Sequence, residues 1–195
     1  MKKTLYVVFV GLISIVFSGC VVKQEVVMDY SPEKQSALKS YPEVELSVND
    51  ARKYVLSKEK PGEFIGYYRS GVGIPYPVST IDDVPLAEVI KADLIKELEA
   101  LGFVSKSSNK SLIVDIKEWK FDAYQNANFN YSIDVSVINN KNKKLVTKNI
   151  SDHIVIRGTF MGGAKAGVER DMPKIYIGIV KKILRENKEI LVFLK

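Results

Sequence analysis

The sequence predicts an α+β protein. Its expected form is a two-layer sandwich: a mostly antiparallel sheet with two amphipathic helices on one face, in the order β-α-β-β-β-α. Three observations predict it. Residues 128–139, "NFNYSIDVSVIN", place Phe129, Tyr131, Ile133, Val135 and Val137 on one side and polar residues on the other, the period of a strand with one buried face. Ala87, Ile90, Leu94, Leu98 and Leu101 recur at spacings of three and four, the period of a helix with one apolar stripe. Ile175, Tyr176, Ile179, Val180, Ile183 and Leu184 repeat that pattern near the C-terminus. Two such helices are the right cover for the apolar face of one sheet.

The chain opens "MKKTLYVVFVGLISIVFSGC". Lys2 and Lys3 form a positive start, Val7 to Phe17 an apolar core interrupted by Gly11 and Ser14, and Ser18 and Gly19 precede Cys20. That is the layout of a secretory signal peptide over residues 1–19, too short for a comfortable permanent span. "FSGC" is similar to a bacterial lipobox, with Phe17 where leucine is usual. In that chemistry the Cys20 sulfur takes a diacylglycerol, the chain is cut before it, and the new N-terminus is acylated. Cys20 is the chain's one cysteine, so no disulfide partner exists for it. The alternative is a retained anchor helix with a buried thiol. Val21, not aspartate, follows the cysteine, which favours the outer membrane over the inner.

Residues 20–42 carry no clean period and read as the lipidated cysteine and a tether, able to span at most roughly 70 Å when extended. Residues 43–195 read as a single periplasm-facing domain. In "EVELSVND", Val44, Leu46 and Val48 alternate with polar residues and predict a half-buried strand. Residues 60–80, rich in Gly, Pro and Tyr, read as a loop, because Pro75 and Pro77 forbid a central strand. Asp82 or Asp83 then caps a helix over about 83–101, with Pro85 in its first turn and Gly102 as its stop. "SLIVDIKEWKFDAY" is a strand with Leu112, Val114 and Ile116 inward; "NFNYSIDVSVIN" follows; and "LVTKNISDHIVIRG" sets Ile150, Ile154 and Ile156 on one face after the turn "NKNKK". These three form an antiparallel meander. "GTFMGGAKAG" links to the second helix, expected to start near Asp171. The tail "KEILVFLK" fits strand or short helix.

The full chain has 195 residues and net charge +6. Loss of residues 1–19 removes two lysines and no acid, leaving 27 basic and 23 acidic side chains, or +4. Mild, interspersed charge argues against a nucleic-acid partner, and Lys141, Lys143 and Lys144 read as a solvated hairpin tip. His153 is the one histidine and faces away from Ile154 and Ile156, without the cysteine or second histidine that a metal centre or catalytic set would use. Asp115, Asp134 and Asp152 sit on polar strand positions, where an acid/base pair competes with a charged outer face paired to Lys117 and Lys148. "GTFMGGAK" has the glycine spacing of a phosphate loop, but Ala164 stands where the lysine belongs and no hydroxyl follows. No catalytic residue, metal or cofactor is assigned. The partner-binding candidates are Tyr67, Tyr68, Arg69 and Tyr76, since tyrosine and arginine are favoured at interfaces; the alternative is that these rings cap the core.

"VELSVNDARK", "PLAEVIKADLIKELEALGF", "FNYSIDVSVINN", the "RGTF" turn, the last helix and "ENKEILVFL" together resemble the YajG-type family of small Gram-negative envelope lipoproteins. The aromatic loop and the lysine-rich hairpin depart from its pattern. The resemblance implies a short helix for the tail. It brings no assigned activity, and its architecture is similar to that of auxiliary lipoproteins of envelope lipid transporters. The expectation is therefore a lipid-anchored, non-enzymatic accessory or binding protein of the cell envelope, held at the outer membrane through its anchor, with an envelope protein as partner. The rivals are an auxiliary subunit of an ABC-type lipid-transport system and an envelope hydrolase.

Overall fold

The computed structural model describes residues 24–33, 40–42, 44–105 and 109–195; the expected signal peptide and Cys20 lie outside the described residues. In chain order the elements are β1 Gln24–Val26, β2 Tyr41–Pro42, β3 Glu45–Asp50, α1 Lys53–Leu56, β4 Phe64–Arg69, β5 Pro75–Thr80, α2 Leu86–Ala100, β6 Phe103–Ser105, β7 Lys110–Ala123, β8 Ala127–Asn139, β9 Lys144–Ile156, α3 Gly163–Ile183 and α4 Lys188–Leu194. The architecture is the α+β class the sequence predicts: an open sheet with helices over its apolar face.

The meander β7-β8-β9 is antiparallel and forms the body of the sheet. Phe129, Tyr131, Ile133, Val135 and Val137 of β8 are all buried. In β7 the inward set changes phase, from Leu112, Val114 and Ile116 to Trp119, Phe121 and Ala123. A bulge between Ile116 and Glu118 inserts the extra residue that keeps both sets on one face. Trp119 then packs edge-on against Phe129 and Tyr176, with ring centroids 5.2 and 6.1 Å away, tying the sheet to α3.

The sheet is mostly antiparallel, as expected, and has parallel additions: β3 and β4 both lie parallel to β7, at Ser111–Ile116 and Phe121–Ala123 respectively. The segment read as a loop over 60–80 also contains the hairpin β4–β5. Its prolines are tolerated because β1 pairs β5 only at Val78, Ser79 and Thr80, so Pro75 and Pro77 lie beyond the ladder, where a missing N–H costs nothing.

The expected tether is also shorter. Residues 24–33 pack on the domain: β1 adds to β5, and the segment then runs along α3. Lys165 Nζ donates to Gln24 Oε1 at 2.7 Å and Lys181 Nζ to Glu33 Oε1 at 2.6 Å. Sixteen helical residues rise about 24 Å, within the roughly 30 Å reach of nine extended ones. Tyr30, buried, donates its hydroxyl to Glu97. Weak period in 21–42 hid this, because the attachment is made by a three-residue strand with Val26 buried, single polar contacts and one ring.

The helix starts differ as well. Residues Ile81–Asp83 form a 3-10 turn, and α2 begins at Leu86 with Pro85, in place of either aspartate, as its N-cap. Gly102 ends it at φ 89°, the left-handed conformation expected of a stop. The second helix, α3, starts at Gly163 rather than near Asp171 and carries Pro173 inside. Its first turns lack large apolar residues because they press on backbone: a Cβ at Gly167 would stand 2.4 Å from the Arg157 carbonyl oxygen. The tail is helical; Asn187 caps α4 by accepting from Ile190 N–H at 3.3 Å, and Ile190 and Leu194 are buried.

Candidate functional site

One end of the sheet gathers three connections: the β4–β5 turn, the β7–β8 turn and the β9–α3 loop. β4 and β7 end side by side, with Tyr68 opposite Ala123. Tyr124, in the β7–β8 turn, donates its hydroxyl to the Gly71 carbonyl at 2.9 Å. The Gly158 N–H donates to Asn126 Oδ1 at 3.1 Å, which joins the third loop to the second. Between them lies a cleft of about 440 Å³, walled by Tyr68, Arg69, Tyr124 and the first turn of α3 with Lys165.

The four aromatic-loop candidates occupy different places. Tyr68 is buried, its ring centroid 5.5 Å from that of Phe121, and its hydroxyl has no hydrogen-bond partner among the described residues. Burial pushes that phenol well above the ordinary tyrosine range, with Glu169 adding to the effect. Tyr67 lies on the opposite face of the sheet, half-buried against Phe64 at 5.0 Å. Arg69 pairs bidentately with Asp122, Nε to Oδ1 at 2.6 Å and an Nη to Oδ2 at 2.5 Å. This hydrogen-bonded pairing holds the Asp122 carboxyl below its usual range. Tyr76 stands opposite Tyr68 in the hairpin and remains exposed.

The glycine-rich loop before α3 closes on itself. Thr159 and Gly163 exchange backbone hydrogen bonds at 2.9 Å, and the Gly162 N–H donates to Thr159 Oγ1 at 3.0 Å. Two amides that a phosphate loop would turn toward its ligand are therefore held by Thr159. Phe160 and Met161, between them, project into solvent.

The outer face of the sheet carries the remaining candidates. Asp115 and Asp134 face each other across β7 and β8. Each accepts from an amide, Asn49 Nδ2 and Asn149 Nδ2 respectively, both at 2.8 Å. Lys117 lies 3.8 Å from Asp115, whereas Lys148 pairs instead with Glu189 at 2.8 Å. His153 is on the same outer face, its Nδ1 2.6 Å from Asn130 Oδ1. Asp152 departs from expectation: it shares the parity of Ile150 and Ile154, sits opposite Tyr131 on the helix-covered side, and lies 3.7 Å from Lys182. The three carboxylates thus divide between the two faces. Among the described residues no group of three His, Cys, Asp or Glu is placed to hold a metal ion.

Sequence reasoning missed the apolar character of this end. Val72, Ile74, Tyr124, Phe160 and Met161 are all exposed, and they come from three loops far apart in sequence. The signal available was the pair Phe160–Met161 set between glycines, where neither strand nor helix period explains two large apolar residues.

No family model matches the chain, and no curated protein does. Solved structures do. The crystal structure of XCC0632 from Xanthomonas campestris, described as DUF330, is similar with TM-score 0.54 at 10% identity, over 86% of this chain and 98% of that one. A second crystal structure, of an uncharacterized protein, is similar with TM-score 0.44 at 8% identity, over 84% of this chain and 98% of that one. The first likeness supports the fold described above.

Proposed function

We propose that the chain is a lipid-anchored, non-enzymatic accessory or binding lipoprotein of the Gram-negative cell envelope, of the YajG type, held at the outer membrane and facing the periplasm. The observation that carries this reading is the N-terminal sequence: two lysines, an apolar core, and "FSGC" ending on the one cysteine of the chain. Several buried acyl chains anchor a protein firmly, at about 0.8 kcal/mol per buried methylene. The non-enzymatic part is supported by the placement of the ionisable groups. Asp115, Asp134 and His153 stand on an exposed sheet face, each beside an asparagine amide, and do not converge on the cleft.

A narrower reading, an auxiliary lipoprotein subunit of an envelope lipid-transport system, is favoured by one observation: exposed apolar side chains on three loops beside a cleft at one end of the domain. An envelope protein partner is expected in either case.

The test is metabolic labelling with palmitate. The native chain takes up label, and Cys20→Ala abolishes uptake and leaves an uncleaved precursor. Label retained by that variant would refute the lipoprotein reading.

A further inference from the structure

The direction of β1 fixes which end of the domain the anchor leaves from. β1 runs parallel to β5, pairing Gln24 with Val78 and Val26 with Thr80, and β5 itself starts at Pro75, just after the β4–β5 turn. Moving from Val26 to Gln24 therefore moves toward that turn. Gln24 also accepts from Lys165, in the first turn of α3, which begins at the same end. Cys20 precedes Gln24 by four residues, a reach of at most about 14 Å. Val78 lies three residues from Pro75, about 10 Å along the strand. An acylated Cys20 is thus confined to the neighbourhood of the loop tips. It cannot reach the opposite end, which β8 places about 40 Å away along its 13 residues.

Those tips carry the side chains that suit a lipid surface. Phe160 is fully exposed, Met161 is 93% exposed and Val72 83%. Ile74 and Tyr124 stand beside them, more than half and nearly half exposed. They belong to three loops joined by the Tyr124–Gly71 and Gly158–Asn126 hydrogen bonds, so they are presented together. Apolar residues with an aromatic ring at their margin are the composition of an interfacial membrane contact. The opposite end carries the turn with Lys141, Lys143 and Lys144, all exposed.

We infer that the end bearing Val72, Ile74, Phe160 and Met161 faces the bilayer and seats these side chains in its headgroup region. The domain then lies against the membrane that holds its anchor and does not hang from it on a long leash. This rests on the lipoprotein reading for the position of the anchor. A protein partner for the same tips is the competing occupant.

The test places an indole at each end of the full chain, expressed with its own N-terminus, extracted from membranes and reconstituted into vesicles of phosphatidylethanolamine and phosphatidylglycerol. Phe160→Trp reports the tips and Lys141→Trp the opposite turn; Trp119, the one native tryptophan, is wholly buried and gives a constant background. Each variant is compared in plain vesicles and in vesicles with brominated acyl chains. The indole at position 160 is expected to lose about half its emission to bromine, because interfacial side chains sit about 5–10 Å into the headgroup and acyl boundary. The indole at position 141 is expected to lose none. Chain that floats with the vesicles while the tip indole stays unquenched overturns the inference alone and leaves the tips to a protein partner. Quenching at position 141 instead of 160 overturns it too. Chain that does not float overturns the anchor and the inference together.

Discussion

Arg52 is wholly buried, and every face of its guanidinium is occupied. It pairs with Asp50, Nε to Oδ1 at 2.8 Å and an Nη to Oδ2 at 2.5 Å, and donates to the Phe64 and Gly62 carbonyls at 2.5 and 2.6 Å. The residue joins the end of β3 to the start of β4, the two strands that share one edge of β7. Burial is the largest single influence and would weaken the charge, but the hydrogen bonds and charge interactions with Asp50 and Tyr54 together outweigh it and hold the arginine above its usual range. Removing one partner of such a pair strands the other. Arg52→Ala is expected to destabilise the domain by about 3 kcal/mol or more, lowering the melting temperature by about 10 °C. A change under about 2 °C in a thermal scan would show that the clamp is dispensable. Nothing in "NDARKYV" marks this arginine from its sequence neighbours, since an isolated charge between a strand and a short helix reads as solvated. Tyr68 is partly legible, since core capping is the alternative the sequence offers to an interface role. Composition made it an interface candidate, while alternation along the unrecognised strand β4 would have turned it inward beside Phe121.

Elements with their own period were legible. The strand at β8 and the apolar stripes of α2 and α3 follow from spacing, because each buries a continuous face against one partner layer. Elements held by edges or by backbone contact were not. β4 and β5 carry prolines and glycines that usually end strands, and they survive because the prolines lie past the β1 ladder. The first two turns of α3 bury only small residues, Ala164, Gly167 and Val168, because Gly167 lets the helix backbone meet the backbone just after β9. The β8–β9 turn behaves as its composition suggests. Asn139 Oδ1 accepts from the Lys141 and Lys143 N–H groups at 3.0 Å, and the three lysine side chains stay in solvent. Changing Lys141, Lys143 and Lys144 together to Gln is therefore expected to shift stability by less than about 0.5 kcal/mol. A larger loss in chemical denaturation would mean that these side chains contact something beyond the turn.

At the scale of the molecule, the sheet and helices form a platform whose loop end gathers the cleft and the exposed apolar tips. The N-terminal segment returns to that end along α3. Two buried acids set the helix layer: Glu97 accepts from Arg185 Nε at 2.6 Å and from Tyr30, and Asp93 accepts from Tyr176 at 2.7 Å. Asp93 ties α3 to α2, and Glu97 holds Tyr30 of residues 24–33 beside both helices, which makes the point of departure of the proposed anchor a fixed feature of the fold. The function proposed for the chain depends on that anchor being real. Intact mass measurement of the protein extracted from the membrane tests it most directly. The account predicts a chain beginning at Cys20, without residues 1–19, and heavier than that polypeptide by the mass of its acyl chains and glycerol. A chain that still begins at Met1, with Cys20 as an unmodified thiol, would contradict it.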